Sequence, residues 1–256
     1  MLKGKVVVIC GGLGLIGLRL SIEAVNSEAI VYVVDSAEKI NQFKVGRKLS
    51  ELQGNVKFKP IDLGKEATIK KTIDEIYFEN GKIDSWVNVA FPKTGDWDNK
   101  FEDVPAESWR ANIDHHLNGY YLCCKHAADK MRQQHSGSIV NFSSIYGIVA
   151  PDFETYSGTK MTSPAAYSAI KSGILGLTRY MASYFGPFNI RVNAVSPGGV
   201  FDNQDPQFVA NYQKRCPMGR MAEPDDIVGP VMFLIDDGSK YITGHNLVVD
   251  GGWTAI

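Results

Sequence analysis

Short β-branched runs alternate along this chain with longer stretches whose apolar residues recur at helical spacing. Lys5–Cys10 is the first such run and ends in Gly11-Gly-Leu-Gly14-Leu-Ile-Gly17. Ile16, Leu20 and Ala24 then recur at the spacing of one helix face, so a helix follows the glycines. A second strand is expected over Ala29–Val34, closed by Asp35, and a helix over Lys39–Leu52. The alternation continues with a strand at Val56–Pro60, a helix at Ala67–Phe78 and a strand at Asp84–Val89. Pro92–Pro105 is polar and irregular, Glu107–Arg132 reads as one long helix, and Gly137–Phe142 as the fifth strand. Gly158 and Pro164 argue against a helix around Tyr156. Pro164 instead suits the first turn of a helix over Ala165–Tyr184, whose apolar positions include Ile170, Ile174, Leu177 and Met181. A strand at Ile190–Val195, a helix at Glu223–Ile235 and a strand at His245–Val249 follow. Pro230 inside that last helix predicts a kink.

Composition narrows the classes. With 256 residues and 44% apolar content, the chain has an ordinary globular core to build. A net charge of −1 and the lack of any Lys/Arg run point away from nucleic acid and from an anionic membrane. No apolar run approaches the ~18 residues of a membrane helix. The four cysteines, Cys10, Cys123, Cys124 and Cys216, have no metal-ligand spacing and read as reduced structural thiols of a cytoplasmic protein.

Two pieces of candidate chemistry stand out. Tyr167 and Lys171 share one face of the predicted Ala165–Tyr184 helix. A free phenol titrates near pH ~10. An ammonium held nearby favours the phenolate and lowers that value. A tyrosine tuned in this way takes a proton from an alcohol or gives one to a carbonyl. Tyr156-Ser-Gly-Thr-Lys160 repeats the Tyr-three-Lys spacing, but lies where no helix is expected. The second piece is the strand, glycine turn and helix at the N-terminus, which lets backbone approach a pyrophosphate and offers it helix N–H groups. Asp35 stands about 20 residues beyond the turn, where an acid grips the adenosine ribose hydroxyls; the alternative is a turn carboxylate closing a strand. A carboxylate there repels a 2′-phosphate, Ser36 follows where a basic residue would suit one, and the first basic residue after the turn is Arg19, inside the helix. NAD is therefore expected over NADP.

What flanks Tyr167 and Lys171 carries a resemblance. Ser172-Gly-Ile-Leu-Gly-Leu-Thr178 follows them, then Arg191-Val-Asn-Ala-Val-Ser-Pro-Gly198, and Asp250-Gly-Gly-Trp253 closes the chain. From Gly11 to Trp253 the sequence resembles the short-chain dehydrogenase/reductases, in their compact single-domain branch. The resemblance implies one doubly wound α/β domain over 1–256, with a parallel sheet of about seven strands and helices on both faces. It implies that Gly11, Leu15, Ile16 and Gly17 form the phosphate turn and that Asp35 meets the ribose. Asp62 and Leu63 would then lie at the adenine, Asn88 and Ala90 beside the cofactor, and Pro197, Gly198 and Val200 at the nicotinamide. Tyr167 is the implied acid/base, Lys171 its partner and a ribose ligand, and Ser144 the hydroxyl that orients the substrate oxygen.

Three positions depart from the family pattern. Leu15 stands where the compact branch has its middle glycine. Phe91-Pro92 replaces a glycine after Asn88 and Ala90 and narrows the space near the nicotinamide. His116 replaces an asparagine that holds a water behind the lysine; it either holds that water, relays the proton itself, or is a helix histidine with no part in the reaction. Tyr156 lies closer to the family's spacing from Ser144 than Tyr167 does, so choosing Tyr167 makes Tyr146–Ser163 an insertion of about ten residues over the site. Its tyrosines, Thr155, Thr159, Lys160, Thr162 and Ser163 suit a polar, hydroxylated, even anionic substrate. Phe201–Cys216 is expected to be the substrate flap. Ser144-Ile-Tyr-Gly-Ile-Val-Ala-Pro-Asp152 further resembles oxidoreductases of bacterial flagellin-glycosylation loci, which favours a sugar. A steroid, a polyol or an acyl thioester remains an alternative substrate, and an inactive dinucleotide-binding sensor an alternative class. The family implies a homodimer or homotetramer, and no metal.

Overall fold

The computed structural model describes residues 2–45, 52 and 54–256. Residues 46–51 of the expected Lys39–Leu52 helix lie outside them; the described part is α2, Ala37–Val45. Seven strands form one sheet in the order β3-β2-β1-β4-β5-β6-β7. They are β1 (Val6–Cys10), β2 (Ile30–Asp35), β3 (Val56–Pro60), β4 (Ser85–Asn88), β5 (Gly137–Phe142), β6 (Ile190–Pro197) and β7 (Asn246–Val249). Every neighbouring pair is parallel.

The apolar run of β1 has a simple cause. Alternate residues of a strand face opposite sides, and both sides of this sheet are covered. Val6, Val8 and Cys10 pack with Ile69, Ile73 and Ile76 of α3 (Glu66–Asn80) and with Cys123, Ala127 and Met131 of α5 (Gly119–Gln134). Val7 and Ile9 pack with Leu20 and Ala24 of α1 (Leu15–Asn26) and with Ile227 and Val231 of α8 (Pro224–Ile235). A strand buried on both faces needs apolar residues at every position.

The long helix expected over Glu107–Arg132 is built in three parts. α4 (Ala106–Asn112) passes into one wide π turn over Ile113–Asn118 and then into α5. A π turn accommodates one extra residue and so re-aims the side chains within it. His116 lies in that turn and is fully buried. α6 (Ala165–Phe185) begins after Pro164, as the sequence predicts. Pro230 sits inside α8, which continues on both sides of it as one helix. The Tyr146–Ser163 segment carries two short 3-10 turns, Ile145–Gly147 and Phe153–Tyr156. The expected flap contains α7, Pro206–Arg215. All four cysteines are buried and free, and among the described residues no helix is long and apolar enough to cross a membrane.

Candidate active site

The strand order reverses between β1 and β4, and in such sheets ligands bind at the carboxyl ends beside that reversal. There the turn after β1 meets the turn after β4. Gly11 has φ +90°, and a Cβ on it would lie 2.5 Å from the Ala90 backbone. A Cβ on Gly17 would lie 2.1 Å from the Gly11 carbonyl oxygen. Both positions therefore exclude any side chain. Ser21 Oγ ties the turn from beneath, donating to the carbonyls of Gly17 at 2.8 Å and Gly12 at 3.2 Å. Asp35 holds it from the side, with Oδ2 accepting from Leu13 N at 3.1 Å and Oδ1 from Ser36 N at 2.9 Å. So Asp35 does close its strand as a turn carboxylate, and it also lines the groove.

That groove encloses about 1280 Å³ and runs from the glycine turn to Tyr167 and Lys171. Gly11, Leu15, Ile16, Gly17, Asp35, Asp62, Leu63, Ala90, Pro197, Gly198 and Val200 all line it. Leu15, in the place of a glycine, keeps 43% of its surface exposed and leaves the turn open. Asn88 is turned elsewhere. It is fully buried, donates to Asn141 Oδ1 at 2.9 Å and accepts from Trp86 Nε1 at 2.7 Å. Its side chain braces the sheet beneath the site instead of facing the groove.

Tyr167 and Lys171 lie where their spacing predicts, with Lys171 Nζ 5.6 Å from the centre of the Tyr167 ring. Nζ donates to the Phe142 carbonyl at 2.9 Å and contacts His116 Nε2 at 3.3 Å. No carboxylate accompanies it in those contacts, and burial lowers the lysine pKa to about 7. Burial likewise pushes the Tyr167 phenol up, while its hydrogen bond with Ser144 pulls it down. The net direction is upward, opposite to the lowering expected from Lys171, because desolvation disfavours the phenolate. His116 is held well below the usual histidine range by burial and by Lys171. A neutral imidazole accepting from Lys171 at Nε2 carries its proton on Nδ1, which has no partner among the described residues.

The two serines after β5 divide the work. Ser143 Oγ donates to the Lys171 carbonyl at 2.8 Å and anchors α6. Ser144 Oγ accepts from Tyr146 N at 3.2 Å and faces a second, smaller cavity of about 160 Å³. This cavity and the groove share Tyr167, Gly198 and Gly199, so they meet at the candidate acid/base.

Tyr156 does not compete for that place. It sits on a 3-10 turn, its hydroxyl 3.4 Å from that of Tyr146, and Lys160 is exposed. Few of the hydroxyls expected from the insertion reach the site. Thr159 Oγ1 donates to the Tyr156 carbonyl at 2.8 Å, and Thr155 and Ser163 are buried. Tyr146 and Tyr156 are its contribution to the small cavity, so the polar surface and the ammonium predicted for this wall are corrected to two phenols.

Three side chains escaped the sequence reading. Phe91 was noted as a departure, but its contacts were not: its ring meets His116 and Tyr167 edge-on, at 5.5 and 5.7 Å. Tyr120 donates to the Ala90 carbonyl at 2.9 Å, and its ring lies against the Lys171 amine; its place four after His116 was the available signal. Tyr212 comes from α7, accepts from Gly199 N at 2.7 Å and stacks on Trp253 at 4.4 Å. No local pattern could have revealed it.

Comparison with known proteins places the chain in a family. A family model described as enoyl-(acyl carrier protein) reductase, of the short-chain dehydrogenase type, matches residues 15–254. The chain belongs to the short-chain dehydrogenase/reductase family. Across 99% of both chains it is 34% identical to post-translational flagellin modification protein A of Campylobacter coli. It is 32% identical to L-rhamnose-1-dehydrogenase of Scheffersomyces stipitis, over 98% of this chain and 96% of that one. A solved short-chain dehydrogenase from Leptospira borgpetersenii with bound NAD+ is 33% identical, with a TM-score of 0.87 over 98% of this chain and 93% of that one. Solved structures of this fold hold NAD in one case and NADP in another. In this chain His116 and Phe91 pack around Lys171.

Proposed function

We propose that this short-chain dehydrogenase/reductase transfers a hydride between NAD and a secondary alcohol or its ketone, with a sugar or similar hydroxylated compound as substrate. The observation that carries this reading is the convergence of Ser144, Tyr167 and Lys171 where the large groove meets the small cavity. The groove suits a dinucleotide. Its turn excludes side chains at Gly11 and Gly17, and no side chain caps α1, so the first N–H groups of that helix are left for a pyrophosphate. Asp35 would accept from ribose hydroxyls on its remaining lone pairs and repel a 2′-phosphate, which supports NAD.

When bound, the nicotinamide supplies the hydride chemistry. Tyr167 then exchanges the proton of the reacting oxygen, and Ser144 fixes that oxygen by donating to it. Lys171, with its pKa near the working pH, changes protonation readily and compensates the charge that appears on the phenol. His116 Nε2 is the next group along and accepts from the ammonium. Exposed aromatic residues on α4, α5 and α6, namely Trp109, Tyr121, Tyr180 and Tyr184, support assembly into a homo-oligomer through those helices.

The test is NADH formation over a panel of sugars, polyols and hydroxysteroids. Turnover of a hydroxylated substrate is expected. Tyr167→Phe should reduce kcat by at least ~100-fold, the lower end for loss of a general acid/base, with dinucleotide affinity retained. Dinucleotide binding without turnover of any alcohol or ketone would favour a sensor and overturn the enzyme reading.

A further inference from the structure

The small cavity has a chemistry of its own. Its walls are Ser144, Tyr146, Tyr156, Tyr167, Phe208 and Tyr212, over the Gly198-Gly199 backbone. Among the described residues, no Lys, Arg, His, Asp or Glu lines it. Its volume is about 160 Å³, and a protein cavity of ~150 Å³ holds a benzene molecule. One six-membered ring matches that volume, and a fused ring system would have to extend beyond it into the groove.

The walls state what kind of ring. Each phenol offers an apolar face and a hydroxyl that both donates and accepts. Tyr212 Oη already accepts from Gly199 N at 2.7 Å and keeps its own proton to donate. The Tyr146 and Tyr156 hydroxyls are 3.4 Å apart, a loose contact that a ligand hydroxyl can replace. A ring with C–H faces and several hydroxyls matches this lining. An ionised substituent does not, because it would lose water and gain no counter-charge.

The walls come from two segments clasped together. Asn211 Nδ2 on α7 donates to the carbonyls of Ser157 at 2.9 Å and Thr155 at 3.3 Å. Arg215 of the same helix pairs with Asp152 at 3.5 Å. Phe208 and Tyr212 of α7 are thereby held against Tyr156, with the Tyr156 and Phe208 rings 5.1 Å apart. Asn211 is in this sense a positioning residue for the cavity.

We propose that the cavity framed by these tyrosines, its two wall segments joined by Asn211, selects a single uncharged six-membered ring bearing hydroxyls, such as a neutral pyranose or a cyclitol. The proposal rests on the oxidoreductase reading for its biological sense, but binding tests it independently of turnover. The experiment is calorimetry on the NADH-loaded protein with galactose, galacturonate, inositol and a hydroxysteroid. A neutral ring should bind at least ~10-fold more tightly than its uronate, which corresponds to ~1.4 kcal/mol, and the steroid should not bind. Tyr156→Trp, which fills the cavity, should weaken the neutral ring at least ~10-fold. Tyr156→Phe, which removes one hydroxyl, should weaken it ~2- to 12-fold, the range for one neutral hydrogen bond. NADH affinity is expected to stay within ~2-fold in both variants, because Tyr156 does not line the groove. Equal or tighter binding of the uronate or the steroid, or neutral-ring binding indifferent to both variants, overturns the proposal. Ring binding as expected with no turnover of any alcohol would instead overturn the enzyme reading and leave this one standing.

Discussion

Lys171 is the most revealing residue to perturb, because its effect on stability should depend on pH in a way few other substitutions imitate. Its amine is buried and its pKa lowered from 10.5 to about 7. For a base whose folded pKa lies below its unfolded one, the folded state binds fewer protons than the unfolded state between the two values, so stability rises with pH there. The penalty for burying the amine is absent above about pH 10.5, grows as pH falls, and is complete at about pH 7 and below. Each pKa unit corresponds to ~1.4 kcal/mol. After allowance for half-protonation at the folded pKa, the penalty should fall by about 2 kcal/mol between pH 7 and pH 9. Lys171→Met removes the titration and also the bonds to Phe142 O and His116 Nε2. The lost bonds contribute a nearly constant offset, so the difference between wild type and variant isolates the amine. Urea unfolding of both proteins at pH 7, 8 and 9, without dinucleotide and at one protein concentration, measures it. Wild type should gain on the variant by about 2 kcal/mol across that range. A difference that stays flat within ~0.5 kcal/mol, the usual additivity error, would place the folded amine near its ordinary pKa and refute the claim that burial keeps it close to neutral.

Other substitutions test the rest of the site. His116→Ala should shift the pH profile of kcat/KM if the imidazole takes part in the relay, and an unchanged profile would remove it from the mechanism. Asp35→Asn keeps one acceptor for the glycine turn and loses the charge; preference for NAD over NADP, measured as the ratio of the two dissociation constants, should fall by about tenfold, and an unaltered ratio would remove Asp35 as the selector. Gly17→Ala places a methyl 2.1 Å from the Gly11 carbonyl oxygen, so dinucleotide affinity should fall by at least about tenfold together with a lower Tm; retained affinity would mean that the turn is more pliable than its packing indicates.

Much of this protein follows from local pattern alone. The apolar run of β1 marked it as a strand, because its burial on both faces favours an apolar residue at every position. Pro164 marked the start of α6, because a proline is tolerated where a helix N–H has no partner. The same helix carried Tyr167 and Lys171 on one face by geometry that needs no tertiary contact. The choice of Tyr167 over Tyr156 was legible for the same reason: the glycine and proline around Tyr156 disfavour a helix. What local pattern could not supply was anything set by the meeting of distant segments. Asn88 reads as a groove residue from its place after β4, yet its partner Asn141 lies on β5 and turns it inward. The hydroxyls of the insertion read as substrate contacts, yet that of Thr159 is bonded within its own turn and Thr155 and Ser163 are buried. Tyr212 reaches the site because α7 folds back over the Gly198-Gly199 turn. The protonation of Lys171 belongs to the same group. Four-residue spacing brings an ammonium and a phenol together, but whether the amine is charged depends on how much water the surrounding chain excludes, and that is decided by Phe91, His116 and Tyr120 packing around it.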